Sequence, residues 1–129
     1  MLKLFFYTLL VFLQSPIILD INKEDVIDLM EDKSINIIDI RTEKEFIEGS
    51  IKYSYNIDFQ KREFIDNLNS LDKEKPYIIY CKSGNRSEKA SLIMKSLGFK
   101  VIYHYKKGYQ DWVEAVSYTH LTLPTTPYV

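Results

Sequence analysis

The sequence predicts a single α/β domain, and three observations carry that prediction. Short apolar runs alternate with amphipathic segments along the middle of the 129-residue chain, the pattern of strands that hand over to helices. The length supports one core, because a second packed domain needs about 50 residues or more of its own. The only Cys in the chain directly follows an apolar run and opens a Gly-containing loop. In open α/β sheets that position, the carboxyl end of a strand, is where ligands bind.

The two ends differ from the middle. Met1, Leu2 and Lys3 precede an apolar or aromatic run from Leu4 to Leu13 broken only by Thr8. One Lys followed by about ten apolar residues matches the start of a secretory signal and falls short of the ~20 residues a transmembrane helix needs. Residues 1–15 therefore read as a signal peptide or membrane anchor. Export to a periplasmic or other extracytoplasmic compartment, or membrane anchoring, is the expectation, with a cytoplasmic protein as the alternative. At the other end, residues 116–129 contain no Asp, Glu, Lys or Arg and are rich in Thr and Pro. This stretch is similar to translated sequencing-adapter tails, and it reads as a non-native or disordered tail. The domain is then residues 16–115.

Within it, Ile17 to Ile21 reads as the first strand. Asn22, with Asp25 three residues on, caps a helix whose inward side is Val26, Ile27, Leu29 and Met30. Ile35 to Ile40 is a buried strand ending in Asp39-Ile40-Arg41. Thr42 and Glu45 form a capping box for a short helix through Glu48, stopped by Gly49. Ser54 to Ile57 is a strand, and Gln60 to Leu68 a helix with Phe64, Ile65 and Leu68 inward. After a turn at Lys73 to Pro76, Tyr77 to Tyr80 forms a continuous apolar strand. Ser87 caps a helix that runs to Leu97 and closes at Gly98; Val101 to Tyr105 is the last strand, and Tyr109 to Ala115 the last helix.

Charge and cysteine usage narrow the chemistry. With 17 Lys+Arg against 18 Asp+Glu, the chain lacks the cationic footprint of a dedicated nucleic-acid binder. One Cys excludes an intramolecular disulfide and a structural zinc site built on paired Cys. Cys81 opens the loop Cys81-Lys82-Ser83-Gly84-Asn85-Arg86. Gly84 tolerates φ > 0, which lets backbone N–H groups curl inward, and the helix behind adds its positive dipole end. Such a cradle binds anions and stabilises a thiolate, and Lys82 and Arg86 strengthen it, so the Cys81 pKa is expected below that of a free thiol. Asp39 and Arg41 are expected to tie the sheet end to Glu45 as structural support. His104, on the last strand, and His120, in the tail, are set aside as triad members, because an anion cradle activates the thiol without a base.

At these residues the sequence resembles the single-domain rhodanese family, from Ile17 to Ala115. The resemblance rests on Cys81 to Ser87 (C-K-S-G-N-R-S), Asp39-Ile40-Arg41, Glu45-Phe46, Gly49-Ser50-Ile51, and Gly108-Tyr109 with Asp111-Trp112. It implies a rhodanese-like fold, a central mostly parallel sheet of about five strands flanked by helices on both faces. It also implies a sulfurtransferase without cofactor or metal. Cys81 would take a sulfane sulfur from thiosulfate or polysulfide, hold it as a persulfide and pass it to cyanide or a thiol, a thioredoxin-like protein among the acceptors. By the same resemblance Lys82, Ser83, Gly84, Asn85, Arg86 and Ser87 bind the substrate, with Arg86 or Lys82 as the cation that attracts an anionic donor. Ser50 stands where many relatives have His, and Lys106-Lys107-Gly108 where two glycines are more usual, a change at the rim of the pocket. Two other readings stay open: a Cys-dependent phosphatase or arsenate reductase, and a non-catalytic protein-interaction module. Only four residues separate Cys81 from Arg86, which favours a smaller substrate than a tetrahedral oxyanion.

Overall fold

The structure is a computed structural model that describes residues 15–114. Residues 1–14, which carry the expected leader, and 115–129, which carry the expected tail and His120, lie outside the described residues. Five strands, β1 (Ile17–Ile21), β2 (Asn36–Asp39), β3 (Ser54–Asn56), β4 (Tyr77–Tyr80) and β5 (Val101–Tyr105), form one sheet in the order β1-β5-β4-β2-β3. Every pairing in it is parallel. The helices are α1 (Lys23–Leu29), α2 (Glu43–Glu48), α3 (Phe64–Asn69) and α4 (Asn85–Ser96), followed by a helical segment over residues 108–114, here α5.

Because side chains alternate along a strand, β2 and β4 feed two cores. Ile38, Tyr77 and Ile79 pack with Phe64 and Leu68 of α3 and with Ala90 and Met94 of α4. Ile37, Ile78 and Tyr80 pack on the opposite face with Val26 of α1 and with Tyr109 and Trp112 of α5. All four residues of β4 are buried. Helices on both faces remove β4 from water, which is why its sequence is continuously apolar rather than alternating.

Both capping boxes form as the sequence indicates. Asn22 Oδ1 accepts from the Asp25 amide at 2.9 Å, and Thr42 Oγ1 accepts from the Glu45 amide at 3.2 Å while Glu45 Oε2 accepts from the Thr42 amide at 2.9 Å. Three expectations need correction. Ile27 and Ile65 face out, at 45% and 47% exposure. Each sits one position, about 100° around the helix, from the buried Val26 or Phe64. A helix of six or seven residues touches the sheet with one stripe only. Second, α3 starts at Phe64 rather than Gln60, because Asp58 Oδ1 accepts from the Gln60 amide at 2.9 Å and holds that stretch in a turn. Third, α4 is capped by Gly84, and Ser87 lies buried in its first turn.

Leu68→Ala should lower stability by about 2–5 kcal/mol, as loss of a buried Leu does, whereas Ile65→Ser should fall within about 0.5 kcal/mol of the parent. Urea denaturation of the two variants checks the assignment. Equal losses would mean that both side chains are buried.

Candidate active site

The turn from β4 into α4 carries the Cys81 loop, and the backbone of that turn is held from behind. The Cys81 carbonyl accepts from the Tyr109 amide at 2.8 Å and the Lys82 carbonyl from the Gln110 amide at 3.0 Å. These donors belong to the first turn of α5, whose amides have no partner within their own helix. With its carbonyls captured there, the loop turns its own amides the other way. Two glycines make this possible. Gly84 has φ 100° and Gly108 φ 71°. A Cβ on Gly108 would lie 2.6 Å from both the Cys81 and the Lys82 carbonyl oxygens, and one on Gly84 would collide with the Lys106 carbonyl oxygen. Lys107, at the place of a more usual glycine, is exposed and does not have a positive φ, so the sequence departure there leaves the close approach intact.

Those amides converge on the Cys81 sulfur, in a residue that is 1% exposed. The Gly84 amide donates to Sγ at 3.1 Å and the Ser87 amide at 3.4 Å, and Ser87 Oγ lies 3.3 Å away. Burial pushes the thiol pKa up. The Ser87 hydroxyl and the amides of Ser87, Gly84 and Ser83 outweigh it and hold the pKa below the ordinary value. The expected lowering is present, with hydrogen bonds as its main source. Ser87 acts here through its side chain as well as its backbone, and it continues inward. Its Oγ is 2.7 Å from His104 Nε2, and His104 Nδ1 is 3.1 Å from Asp20 Oδ1. His104, set aside from the sequence, is thus one residue removed from the sulfur. Strand alternation held the clue, since Ile102 and His104 share the face of β5 that α4 covers.

The charged residues are arranged differently from the sequence expectation. Arg41 is buried and bonds Asp39 through Nη2 at 2.7 Å, with a further bond to the Gly49 carbonyl at 2.6 Å. Burial works against its charge, and the Asp39 carboxylate more than restores it. The Tyr80 hydroxyl donates to Asp39 Oδ2 at 2.6 Å, and Asn56 Nδ2 donates to the Asp39 and Arg41 carbonyls. The links of Asp39 and Arg41 run to Gly49 and Asn56 rather than to Glu45. Glu45 instead pairs with Arg86, at 2.9 Å and 3.1 Å through two nitrogens. Hydrogen bonding to Arg86 is the main reason that the Glu45 pKa falls to about 2. Arg86 is therefore a fastened cation and braces α2 against α4. A cleft of about 570 Å³ opens beside the loop, lined by Arg41, Glu45, Glu48, Lys82, Tyr109 and Glu114 among others. Lys82 is the exposed cation of that lining. Among the described residues, Lys82, Asn85 and Arg86 make no hydrogen bond to Sγ, whereas Gly84 and Ser87 do, and no group of His, Cys, Asp and Glu there is arranged to hold a metal.

Comparison with known proteins places this arrangement in context. The sequence matches the rhodanese-like domain family over residues 22–115. It is 37% identical over 89 residues to a tRNA uridine(34) hydroxylase of Pelagibacter ubique, covering 68% of this chain and 30% of that protein. It is 34% identical over 96 residues to a Schizosaccharomyces pombe protein provisionally named a mitochondrial thiosulfate sulfurtransferase, covering 66% of this chain and 68% of that one. The chain thus spans less than a third of the first relative and about two thirds of the second. Among solved structures, a rhodanese-related protein from Thermoplasma volcanium superposes with a TM-score of 0.66 at 30% identity, covering 75% of this chain and 92% of that one. A human single-domain sulfurtransferase shares the fold with a TM-score of 0.63 at 19% identity, covering 74% and 95%.

Gly108→Ala should raise the pH at which Cys81 is alkylated and destabilise the fold by at least about 1–2 kcal/mol, the cost of a left-handed non-Gly residue. The pH profile of iodoacetamide labelling and a urea titration read the two effects, and an unchanged profile would show that the cradle does not depend on this approach. A second expectation concerns acid. Glu45 has its folded pKa depressed to about 2 from an ordinary value of 4.5. The stability it contributes is present above about 4.5 and is lost as pH falls through about 2. Between these limits the parent should lose more stability than Glu45→Gln, as followed by denaturation at stepped pH. Parallel losses would mean that the pair contributes nothing.

Proposed function

We propose, because the chain belongs to the rhodanese-like family, that it is a sulfurtransferase working through a persulfide on Cys81. The observation that carries this reading is the convergence of the Gly84 and Ser87 amides and the Ser87 hydroxyl on one buried sulfur. Donors that lower the thiol pKa raise the share of thiolate, the nucleophilic form, at neutral pH. In the first half-reaction the Cys81 thiolate attacks the sulfane sulfur of thiosulfate or a polysulfide. The donor S–S bond breaks, and its electron pair leaves with sulfite or the shortened polysulfide. In the second, cyanide or an acceptor thiolate attacks the outer sulfur, and the Cys81 thiolate departs into the same N–H donors. No cofactor takes part. A thiol acceptor on a thioredoxin-like protein fits this scheme.

The fastened cations refine the donor. With Arg86 held by Glu45 and Arg41 by Asp39, Lys82 remains to meet an anion, next to Glu48 and Glu114 in the cleft. That balance supports a donor of lower charge, the singly protonated form of a polysulfide or an organic persulfide, over the thiosulfate dianion. The tRNA uridine(34) hydroxylases raise a second reading, action on tRNA, favoured by the 37% identity to one of them. Against it stand the chain's net charge of -1 and the carboxylates of the cleft, which repel a polyanion.

Exposure to polysulfide, and less readily to thiosulfate, should add one sulfur atom to the intact mass, and cyanide or a thiol should remove it. Cys81→Ser should abolish both the adduct and turnover. Sulfur transfer by Cys81→Ser at an undiminished rate would overturn the reading. Turnover of an aryl phosphate to match that of the sulfur donor would favour a phosphatase, and uridine modification in tRNA without a sulfur adduct would favour the second reading.

A further inference from the structure

A second hollow, of about 130 Å³, lies between β1, β5 and α4 and shares no lining residue with the cleft. Asp20, Glu88, Ser91, His104 and Lys106 bound it. Ser91 Oγ is buried and has no hydrogen-bond partner among the described residues. A polar hollow of this size has room for water that would partner it. His104 is buried, the Asp20 side chain is 62% exposed, and Ser87 links His104 to Cys81.

The geometry points to a proton relay from Cys81 through Ser87 to His104, with Asp20 balancing the charged ring, that takes the thiol proton out of the active site by way of this hollow. The Asp20 carboxylate can only accept, so Nδ1 of the neutral His104 ring carries the proton and Nε2 must accept from Ser87. While the sulfur is a thiol, the single Ser87 hydroxyl proton stays on the His104 side and its oxygen faces Sγ as an acceptor for S–H; its donation to Sγ, which helps to lower the Cys81 pKa, belongs to the thiolate state. Once His104 is protonated, Nε2–H donates to Ser87, and the hydroxyl proton turns to the thiolate. The neutral ring favours the thiol and the imidazolium favours the thiolate. In the relay step the S–H bond breaks and its proton joins Ser87 Oγ while the Ser87 O–H proton passes to Nε2. Thiolate and imidazolium remain, the latter balanced by Asp20, and no electrons are gained or lost. Solvent in the hollow then takes the proton from His104.

The groups around His104 suit this role. Burial is the largest influence and lowers its pKa, Asp20 on β1 and Glu88 on α4 favour the charged ring, and Lys106 after β5 opposes it; the net direction is downward. At neutral pH the resting ring is therefore unprotonated and able to accept. Ser87 touches the reacting sulfur, and His104 and Asp20 act through it as positioning residues. The relay rests on Cys81 as the reacting thiol of the proposed function, whichever donor it meets.

The test follows the rate of Cys81 alkylation by iodoacetamide against pH in the full chain, in His104→Leu, Ser87→Ala, their double variant and Asp20→Asn, beside an NMR titration of the His104 ring. The relay predicts a coupled pair in the parent, with an inflection of the alkylation profile that coincides with the His104 titration. That inflection should vanish in His104→Leu and Ser87→Ala, in which no ring or no hydroxyl is left to link the two titrations. The double variant should likewise lack it, and Asp20→Asn should move the inflection to lower pH, because Asp20 favours the charged ring. In Cys81→Ser the His104 ring should titrate lower than in the parent. A parent-like profile in His104→Leu, or a ring indifferent to Cys81→Ser, would overturn the proposal. Should His104→Leu not fold, the exposed Asp20→Asn decides alone, and a parent-like profile there counts against the relay. Sulfur loading of the same proteins separates the two readings. Failure of the parent to load overturns the sulfurtransferase reading, while the alkylation profile still decides the relay.

Discussion

The capture of two carbonyls by a neighbouring helix is the constraint from which the candidate active site follows. A peptide unit carries its donor and acceptor on opposite sides, so a loop that must present N–H groups to a sulfur has to point carbonyls elsewhere, and buried carbonyls need partners. The first amides of α5 supply them to Cys81 and Lys82. This sets where α5 starts, why Gly108 stands there without a Cβ, and why Gly84 opens α4 with a positive φ. The thiolate site is a backbone device, and Cys81 with the Ser87 hydroxyl is the part that side chains contribute.

Charge is managed by pairing it away from the sulfur. The buried Asp39–Arg41 pair at the end of β2 has its remaining valences filled by Tyr80, Asn56 and the Gly49 carbonyl, as a buried ion pair must if its desolvation is to be offset. Arg41 also lies 4.1 Å from the Tyr109 ring centroid, which joins this network to α5 and so to the carbonyls that α5 holds. The Arg86–Glu45 pair does the same between α4 and α2. The hydrogen bonds to the sulfur come from neutral groups, the Gly84 and Ser87 amides and the Ser87 hydroxyl.

Much of this was legible in the chain. The bounds of β1, β4 and β5 and both capping boxes follow from local pattern, because a short apolar run and an Asn or Thr with an acid three residues on carry their own geometry. The position of Cys81 at a strand end and the need for Gly84 were equally local. Failures came where a residue's surroundings are supplied by distant segments. Ile27 and Ile65 are apolar and helical, yet each is turned from the sheet by a helix too short to bury two stripes.

By itself, then, the sequence determined the α/β class, the order of elements and the place of Cys81 at a strand end, since each depends on residues within a few positions of one another. Tertiary structure alone decided the partners of the charges and the depth of the site. Whether Glu45 meets Arg41, four residues away, or Arg86, 41 residues away, depends on how α2 and α4 are set at the edge of the sheet. That Ser87 faces His104 depends on the register of β5 beside β4 and on the packing of α4 over both. Side-chain chemistry is written in the chain, but which groups come within hydrogen-bond reach is fixed by the packing of the sheet and its helices.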